Sequence, residues 1–171
     1  GEHGIRFGTF LKKSWYDGIS GDKSVGTIIV PKAKLTTVDF DGIMAKVQDS
    51  TASNVNVTST LGSYNADYYM TKVYMHSVPQ ANYNTELVAV SYVMVGGEVL
   101  YYTAEPCINS VASVAKYLLD NQLDTAHQTE LDAYLLNYKV TYEDVDGSEL
   151  YSEFVKYGET TPSYTGTAPV K

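Results

Sequence analysis

The amino-acid sequence predicts an α+β fold that is predominantly β: an antiparallel sheet or sandwich, one or two helices near residues 108–137, and then a β-hairpin of β-grasp type. Three observations predict it. Asp67–Val78 alternates with period two, and Leu87–Val95 is apolar on both faces. From Ile108 onward the apolar residues change to spacings of three and four. Strands followed by helices are typical of antiparallel α+β domains rather than βαβ units.

The first part of the chain predicts two strands and a long irregular segment. Gly4–Leu11 alternates and continues toward Trp15-Tyr16, which indicates a strand. Val25–Val30 is a continuous apolar run ended by Pro31, as expected for a buried strand. The stretch from Asp39 to Tyr64 is rich in Ser, Thr and Asn, so we expect irregular structure with one or two short edge strands.

The middle of the chain predicts three more strands. The alternating segment Asp67–Val78 is closed by Pro79. Leu87–Val95 is expected to be the central strand, because only a strand covered on both faces is apolar on both. Gly96-Gly97 predicts a tight turn into a further strand at Val99–Thr103.

Two amphipathic helices are expected next. The first spans Ile108–Asn121, has Asn109 or Ser110 as its N-cap and is expected to pack on a sheet face. The second has Asp124 or Thr125 as its cap. Their apolar positions are Ile108, Val111, Ala112, Ala115, Leu118 and Leu119 in the first helix, and Leu131, Tyr134 and Leu135 in the second.

The C-terminal segment predicts a hairpin. Alternating runs flank Asp146-Gly147, a strong signal for a hairpin turn, and the sequence VKYGE follows. This pattern resembles the opening of the Listeria–Bacteroides repeat of the internalin B type, a β-grasp-like module strung in tandem on exported bacterial surface proteins. The resemblance implies an incomplete repeat at 138–171. We expect its open edge, bearing Val140, Tyr142 and Phe154, to dock intramolecularly or to swap into a symmetric homodimer.

The preceding segment carries a second resemblance. The sequences GIRFGT, VGTIIVPKAKL, YNTELVAVSYVMVGGEVLYYTAE and SVASVAKYLL are similar to a module of large secreted or wall-attached proteins of gut Gram-positive bacteria. Asn109 stands where that pattern has Arg before Ser-Val. The resemblance implies an extracellular, cell-surface or cell-wall location and a β-rich domain over residues 1–137, but no activity.

The amino-acid composition limits the classes of partner that the chain can bind. Twelve basic residues against twenty acidic ones give a net charge of −8, and the largest basic cluster is Lys12-Lys13, so nucleic acid and anionic membrane surfaces are disfavoured. An apolar run of membrane-spanning length does not occur in the sequence. Sixteen Tyr against four Phe and one Trp suit half-buried strand faces, or a surface that contacts carbohydrate or protein.

Chemical motifs are weak in this sequence. His3, His76 and His127 lack metal-ligand spacing. Cys107 precedes the predicted helix and is interpreted as an inert buried thiol rather than a nucleophile. Three other patterns have a chemical and a plain structural interpretation. Asp144–Gly147 is interpreted as a turn rather than a calcium loop, three glutamates as solvated acids rather than paired catalytic carboxylates, and one lysine as solvated rather than cross-linked to an asparagine. Their residues are Glu86, Glu98 and Glu105 for the carboxylates, and Lys72 with Asn84 for the cross-link.

The sequence therefore predicts a non-catalytic module of an extracellular bacterial surface protein, a spacer or adhesive unit without metal or cofactor. The alternative is a carbohydrate-binding module with a tyrosine platform, and an enzyme of unrecognised type is the third hypothesis. Expected partners are other modules of the same protein, a host or microbial protein or glycan, and a second copy of the chain. The candidate contact residues are Tyr68, Tyr74, Tyr101, Tyr142 and Phe154.

Overall fold

A computed structural model describes residues 4–48, 55–101, 105–135 and 137–166. Its elements confirm a predominantly β α+β fold with antiparallel sheets. In chain order they are β1 (Gly4–Lys12), α1 (Lys13–Gly18), β2 (Lys23–Pro31), α2 (Phe40–Gln48), β3 (Val55–Ser59), β4 (Gly62–Ser63), β5 (Tyr68–His76), β6 (Leu87–Val95), β7 (Glu98–Tyr101), β8 (Cys107–Asn109), α3 (Val111–Asp120), α4 (Gln128–Ala133), β9 (Asn137–Glu143) and β10 (Glu149–Lys156).

The chain forms two compact units. The first comprises Gly1–Pro79 and Thr85–Ser110, and the second comprises Gln80–Asn84 and Val111–Lys171. This division by compactness differs from the repeat boundary expected between residues 137 and 138, and that boundary stays a prediction. In the part of the chain that the structure describes, no helix has the length and apolar character needed to span a membrane.

The first unit contains two antiparallel sheets. One has the order β1-β5-β4, and the other has the order β3-β2-β6-β7, with β8 also pairing with β6. Leu11 of β1 packs with Val25 of β2 and Val93 of β6, which joins the two sheets through their buried faces. As predicted, Leu87–Val95 is a central strand, paired with β2 on one edge and with β7 and β8 on the other.

Helix α2 covers the opposite face of the larger sheet. Its Ile43 is fully buried against Ile28 and Val30 of β2 and Val88 and Val90 of β6. Because one face of β2 and β6 meets the other sheet and the second face meets α2, both strands are apolar on both faces. The irregular structure expected over Asp39–Tyr64 is therefore wrong at Phe40–Gln48, where a capped amphipathic helix forms.

Three other predicted boundaries are corrected. The first strand ends at Lys12, because Lys13–Gly18 is helical and Trp15 and Tyr16 pack on the inter-sheet cluster. Helix α3 begins at Val111 rather than Ile108, since Cys107–Asn109 pairs with Leu87–Ala89 as a strand. The strand predicted at Val99–Thr103 is β7, Glu98–Tyr101, and the last two residues of the predicted range lie outside the described residues.

The second unit contains α3, α4 and the C-terminal hairpin. The Ala112 N–H donates to the Tyr83 carbonyl at 2.9 Å, and the Tyr83 and Tyr134 rings meet edge to face at 5.0 Å. α4 begins after His127, not after Asp124 or Thr125, and it buries Leu131. Strands β9 and β10 pair around Gly147, whose φ of 83° is a conformation that glycine adopts readily.

Candidate functional site

One face of the β1-β5-β4 sheet points away from the core of the first unit. Along β1, Ile5, Phe7 and Leu11 are buried, and the residues between them are exposed or partly exposed. Residues directly opposite each other in an antiparallel pair project from the same side of the sheet. We call the outward residues the β1–β5 face; they form the pairs Gly4–His76, Arg6–Tyr74, Gly8–Lys72, Phe10–Met70 and Lys12–Tyr68.

Aromatic rings are exposed along this face. Tyr74 and Phe10 are 50% and 45% exposed, and Tyr64, beside Phe10, is 56% exposed. The rings of Phe10 and Tyr64 meet edge to face at 4.7 Å, and the rings of Tyr74 and His76 stack at 5.6 Å with an interplanar angle of 12°. A cluster of large rings left in solvent is characteristic of contact surfaces.

The face is basic although the chain is acidic. Neither β1 nor β5 contains Asp or Glu, and Arg6, Lys12 and Lys72 are all exposed. Within the described residues, none of these three cations has a carboxylate partner. By contrast, Lys32, Lys116, Lys139 and Lys156 each form an ion pair with a carboxylate at 2.7–3.0 Å.

The surface between the rings is recessed at Gly8. A Cβ added to Gly8 would meet only the Thr71 carbonyl oxygen, at 3.7 Å, so the space above the backbone is open. Hollows of about 500 and 470 Å³ lie at the two ends of the sheet. The first is lined by Gly4–Arg6 and Tyr74–His76, and the second by Lys12–Ser14 and Ala66–Tyr68.

A smaller cleft of about 240 Å³ lies between the two sheets. Its lining includes the hydroxyls of Thr9, Thr27 and Ser91 together with Cys107 and Asn109. The Ser91 Oγ lies 2.7 Å from the Thr9 Oγ1 and 2.9 Å from the Thr27 Oγ1. Because these hydroxyls bind one another, the floor of the cleft already has a structural role.

Cys107 is exposed, which corrects the prediction of a buried thiol. It lies in β8 rather than at the beginning of a helix, and the Asn109 Nδ2 donates a hydrogen bond to its Sγ at 3.3 Å.

The two histidines in the described part of the chain lie in different elements. His76 is on β5, and His127 precedes α4. The His127 Nδ1 donates to Asp124 at 2.8 Å; this hydrogen bond raises the pKa of His127 and lowers the pKa of Asp124. Groups of three or more potential metal ligands were not found among the described residues.

Three of the remaining polar candidates, Asp144, Asp146 and Glu86, have local partners. The Asp144 Oδ1 accepts from the Val145 N–H, and the Asp146 Oδ1 accepts from the Ser148 N–H, as turn residues do. Glu86 pairs with Lys32 at 2.8 Å. Lys72 is exposed, as predicted for a lysine on a solvated face.

The predicted contact residues lie in three places. Tyr68 and Tyr74 share the β1–β5 face. Tyr101 lies on β7 opposite Tyr92, and its side chain is outside the described part of the structure. Tyr142 contacts Tyr151 and Tyr164, with centroid distances of 6.1 and 5.4 Å. Phe154 is 65% exposed on the other side of the hairpin, because its register partner is Lys139.

Sequence reasoning missed Arg6, Phe10, Lys12, Tyr64 and Lys72 as members of a shared face. The alternation of the first strand contained part of the signal, since Phe10 has the same parity as Arg6 and Lys12 and therefore points outward with them. The pairing of β1 with β5, which adds Lys72, joins segments about sixty residues apart and has no local signature.

No model of a known protein family matches this chain. The search of curated proteins found no match either. The two resemblances noted in the sequence therefore remain predictions.

Proposed function

We propose that the chain is a non-catalytic binding module of an extracellular bacterial surface protein and that the β1–β5 face is its contact surface. The observation that carries the proposal is the coincidence, on one sheet face, of exposed rings with cations that lack a carboxylate partner among the described residues. Aromatic and arginine side chains are enriched in binding surfaces, because they combine large contact area with directional polar groups.

The location rests on the two sequence resemblances. Both are to modules of exported bacterial proteins, the first over most of residues 1–137 and the second from Tyr138 onward. Partners of such a module are a host or microbial protein or glycan, and the neighbouring modules of the same protein. A second copy of the chain is a further candidate for the hairpin, because β9 and β10 pair only with each other among the described residues.

Carbohydrate binding is the second candidate function. Tyr74, Tyr64 and Phe10 are exposed rings on or beside the β1-β5-β4 sheet, as a stacking platform requires. One of the three is a phenylalanine, so this platform differs from the predicted one, which consists of tyrosines. Tyr142 is less suited to this role, since it already contacts Tyr151 and Tyr164.

The test is binding of the labelled chain to arrays of glycans and extracellular matrix proteins. We expect binding by the unaltered chain and at least about a tenfold loss in the double variant Phe10→Ala/Tyr74→Ala, since about 1.4 kcal/mol of lost contact energy corresponds to a factor of ten. Phe154→Ala is the control, because it removes an exposed ring from the other unit. Equal binding by all three chains would contradict the proposal.

A further inference from the structure

The cations of the β1–β5 face create a local positive field. Arg6 and Lys72 lie on diagonal positions of adjacent strands, and Lys12 lies at the far end of β1. The Debye length is about 8 Å at physiological ionic strength, so acidic residues on distant surfaces are largely screened from a ligand bound here. The net charge of −8 therefore does not prevent an anionic group from binding at this face.

The positions of the rings favour a ligand made of repeated rings. Phe10 is opposite Met70, which is four residues from Tyr74 along β5, so the two positions are separated by about 14 Å along the strand direction at about 3.4 Å per residue. Gly8 and Lys72 occupy the row between Tyr74 and Phe10. An extended chain lying along the strands would meet a ring, a recess with a cation, and a second ring.

The aromatic rings and the cations of the β1–β5 face indicate the chemical class of its ligand. Sugar rings have apolar C–H surfaces that pack on aromatic faces, and their carboxylates are bound well by guanidinium and ammonium groups. Three cations over five rows suit a small number of carboxylate contacts, whereas a protein that binds duplex DNA can make about 6–10 phosphate contacts.

We infer that the β1–β5 face binds an acidic polysaccharide, a chain of sugar rings that carry single carboxylates, with the rings packed on Tyr74 and Phe10 and a carboxylate held by Lys72 and Arg6 above Gly8. This inference rests on the proposed binding function and specifies its ligand class.

Gly8 offers a direct test. The open space above it accepts a side chain, so Gly8→Glu and Gly8→Gln introduce the same volume and differ only in charge. We expect the unaltered chain to bind polygalacturonate and Gly8→Glu to bind it at least about tenfold more weakly than Gly8→Gln, because a second carboxylate in the row repels the ligand. Melting temperatures of the two variants verify that both are folded.

A second pair of variants tests the cations. Arg6→Gln/Lys72→Gln is expected to weaken polygalacturonate binding by at least about tenfold. Lys34→Gln is the matched control, because it removes an exposed lysine that lies outside β1 and β5, and it should leave binding unchanged.

Three comparison ligands separate the contributions of the sugar rings, the carboxylates and the charge density to binding. The methyl ester of polygalacturonate retains the rings without the charge, polyglutamate retains carboxylates without the rings, and dextran sulfate has a higher charge density. We expect each to bind more weakly than polygalacturonate at 150 mM salt, roughly the ionic strength at which the Debye length is about 8 Å. Equal or tighter binding of any of them would overturn the assignment to a carboxylated polysaccharide.

The two levels of the proposal fail differently. Absence of polygalacturonate binding, with face-dependent binding of another ligand in the array, would overturn the ligand class and retain the binding module. Absence of any binding that depends on Phe10 and Tyr74 would overturn both.

Discussion

Hydroxyl groups in the core of the first unit differ in how fully they are bonded. Ser91 contacts both Thr9 and Thr27, which links β6 to both β1 and β2. Thr71 lies directly opposite Thr9 on β5 and is 1% exposed, yet its Oγ1 lacks a hydrogen-bond partner within the described residues. A buried hydroxyl without a partner costs desolvation energy that it does not recover.

Thr71→Val should therefore stabilise the protein by up to about 1 kcal/mol, because it removes the unbonded hydroxyl and keeps the branched shape. Ser91→Ala should destabilise it by about 1–3 kcal/mol, since two neighbouring hydroxyls lose a partner. Urea unfolding measures both free energies. A Thr71→Val variant as unstable as Ser91→Ala would show that the Thr71 hydroxyl has a stabilising partner.

The Asp124–His127 hydrogen bond gives a second residue-scale prediction. It raises the pKa of His127 above 6.5 and lowers the pKa of Asp124 below 3.8. The His127 contribution to stability is present below pH 6.5 and is lost as the pH rises through the folded pKa. The Asp124 contribution is present above pH 3.8 and is lost as the pH falls through the folded pKa. The pair is thus most stabilising between these values.

NMR titration of His127 measures this coupling directly. We expect Asp124→Asn to return the pKa of His127 toward 6.5, because the neutral amide no longer favours the imidazolium. Glu130→Gln should have the smaller effect, since Glu130 contributes only a weaker charge interaction. A His127 pKa that is unchanged in Asp124→Asn would rule out the hydrogen bond as its cause.

At the scale of elements, α2 shows where sequence reasoning stopped short. Phe40, Ile43 and Met44 have helical spacing, and Asp39 precedes them as an N-cap. The Asp39 Oδ1 accepts from the Gly42 N–H at 2.7 Å, and its carbonyl accepts from the Ile43 N–H at 3.1 Å. The surrounding Ser, Thr and Asn residues and Gly42 masked this short pattern, although its cap and apolar spacing were readable.

Other elements show what local sequence could and could not determine. Alternation and two-sided apolar character were sufficient for β1, β2, β5 and β6, because burial imposes those patterns directly. The sequence predicts that Ile108 and Asn109 belong to the first helix, but both are part of the strand Cys107–Asn109, whose conformation comes from pairing with Leu87–Ala89. In the candidate site, the alternation of residues along β5 is sufficient to place Tyr74 on an outward face. Its proximity to Arg6 depends on the pairing of β1 with β5, which the local sequence does not encode.

Asp39→Ala is expected to lower the free energy of unfolding by about 1 kcal/mol, because the first turn of α2 loses its side-chain acceptor. Asp39→Asn should retain most of the stability, since the amide oxygen can accept the same N–H. Thermal unfolding of the two variants provides the comparison. A larger loss in Asp39→Asn than in Asp39→Ala would contradict the capping role.

At the scale of the whole molecule, the strands of the two units differ in how completely they are paired and covered by side chains. In the first unit, β6 is paired along both edges and covered on both faces. In the second unit, β9 and β10 form a two-stranded sheet, supported by the contacts of Tyr142 with Tyr151 and Tyr164 and by the Lys156–Asp132 ion pair at 2.8 Å. Isolated two-stranded sheets are only marginally stable in water.

Native-state hydrogen exchange should therefore be slowest in β6 and β2 and much faster in β9 and β10, because exchange follows local opening. Fast exchange throughout Leu87–Val95 would contradict the central position of β6.

Repeating the hydrogen-exchange measurement at higher protein concentration tests the proposed homodimer. A second copy that adds a strand to the hairpin would slow exchange in Tyr138–Glu143 and Glu149–Lys156 as concentration rises, with β6 as the internal reference. Concentration-independent exchange in the hairpin would eliminate the edge-mediated dimer.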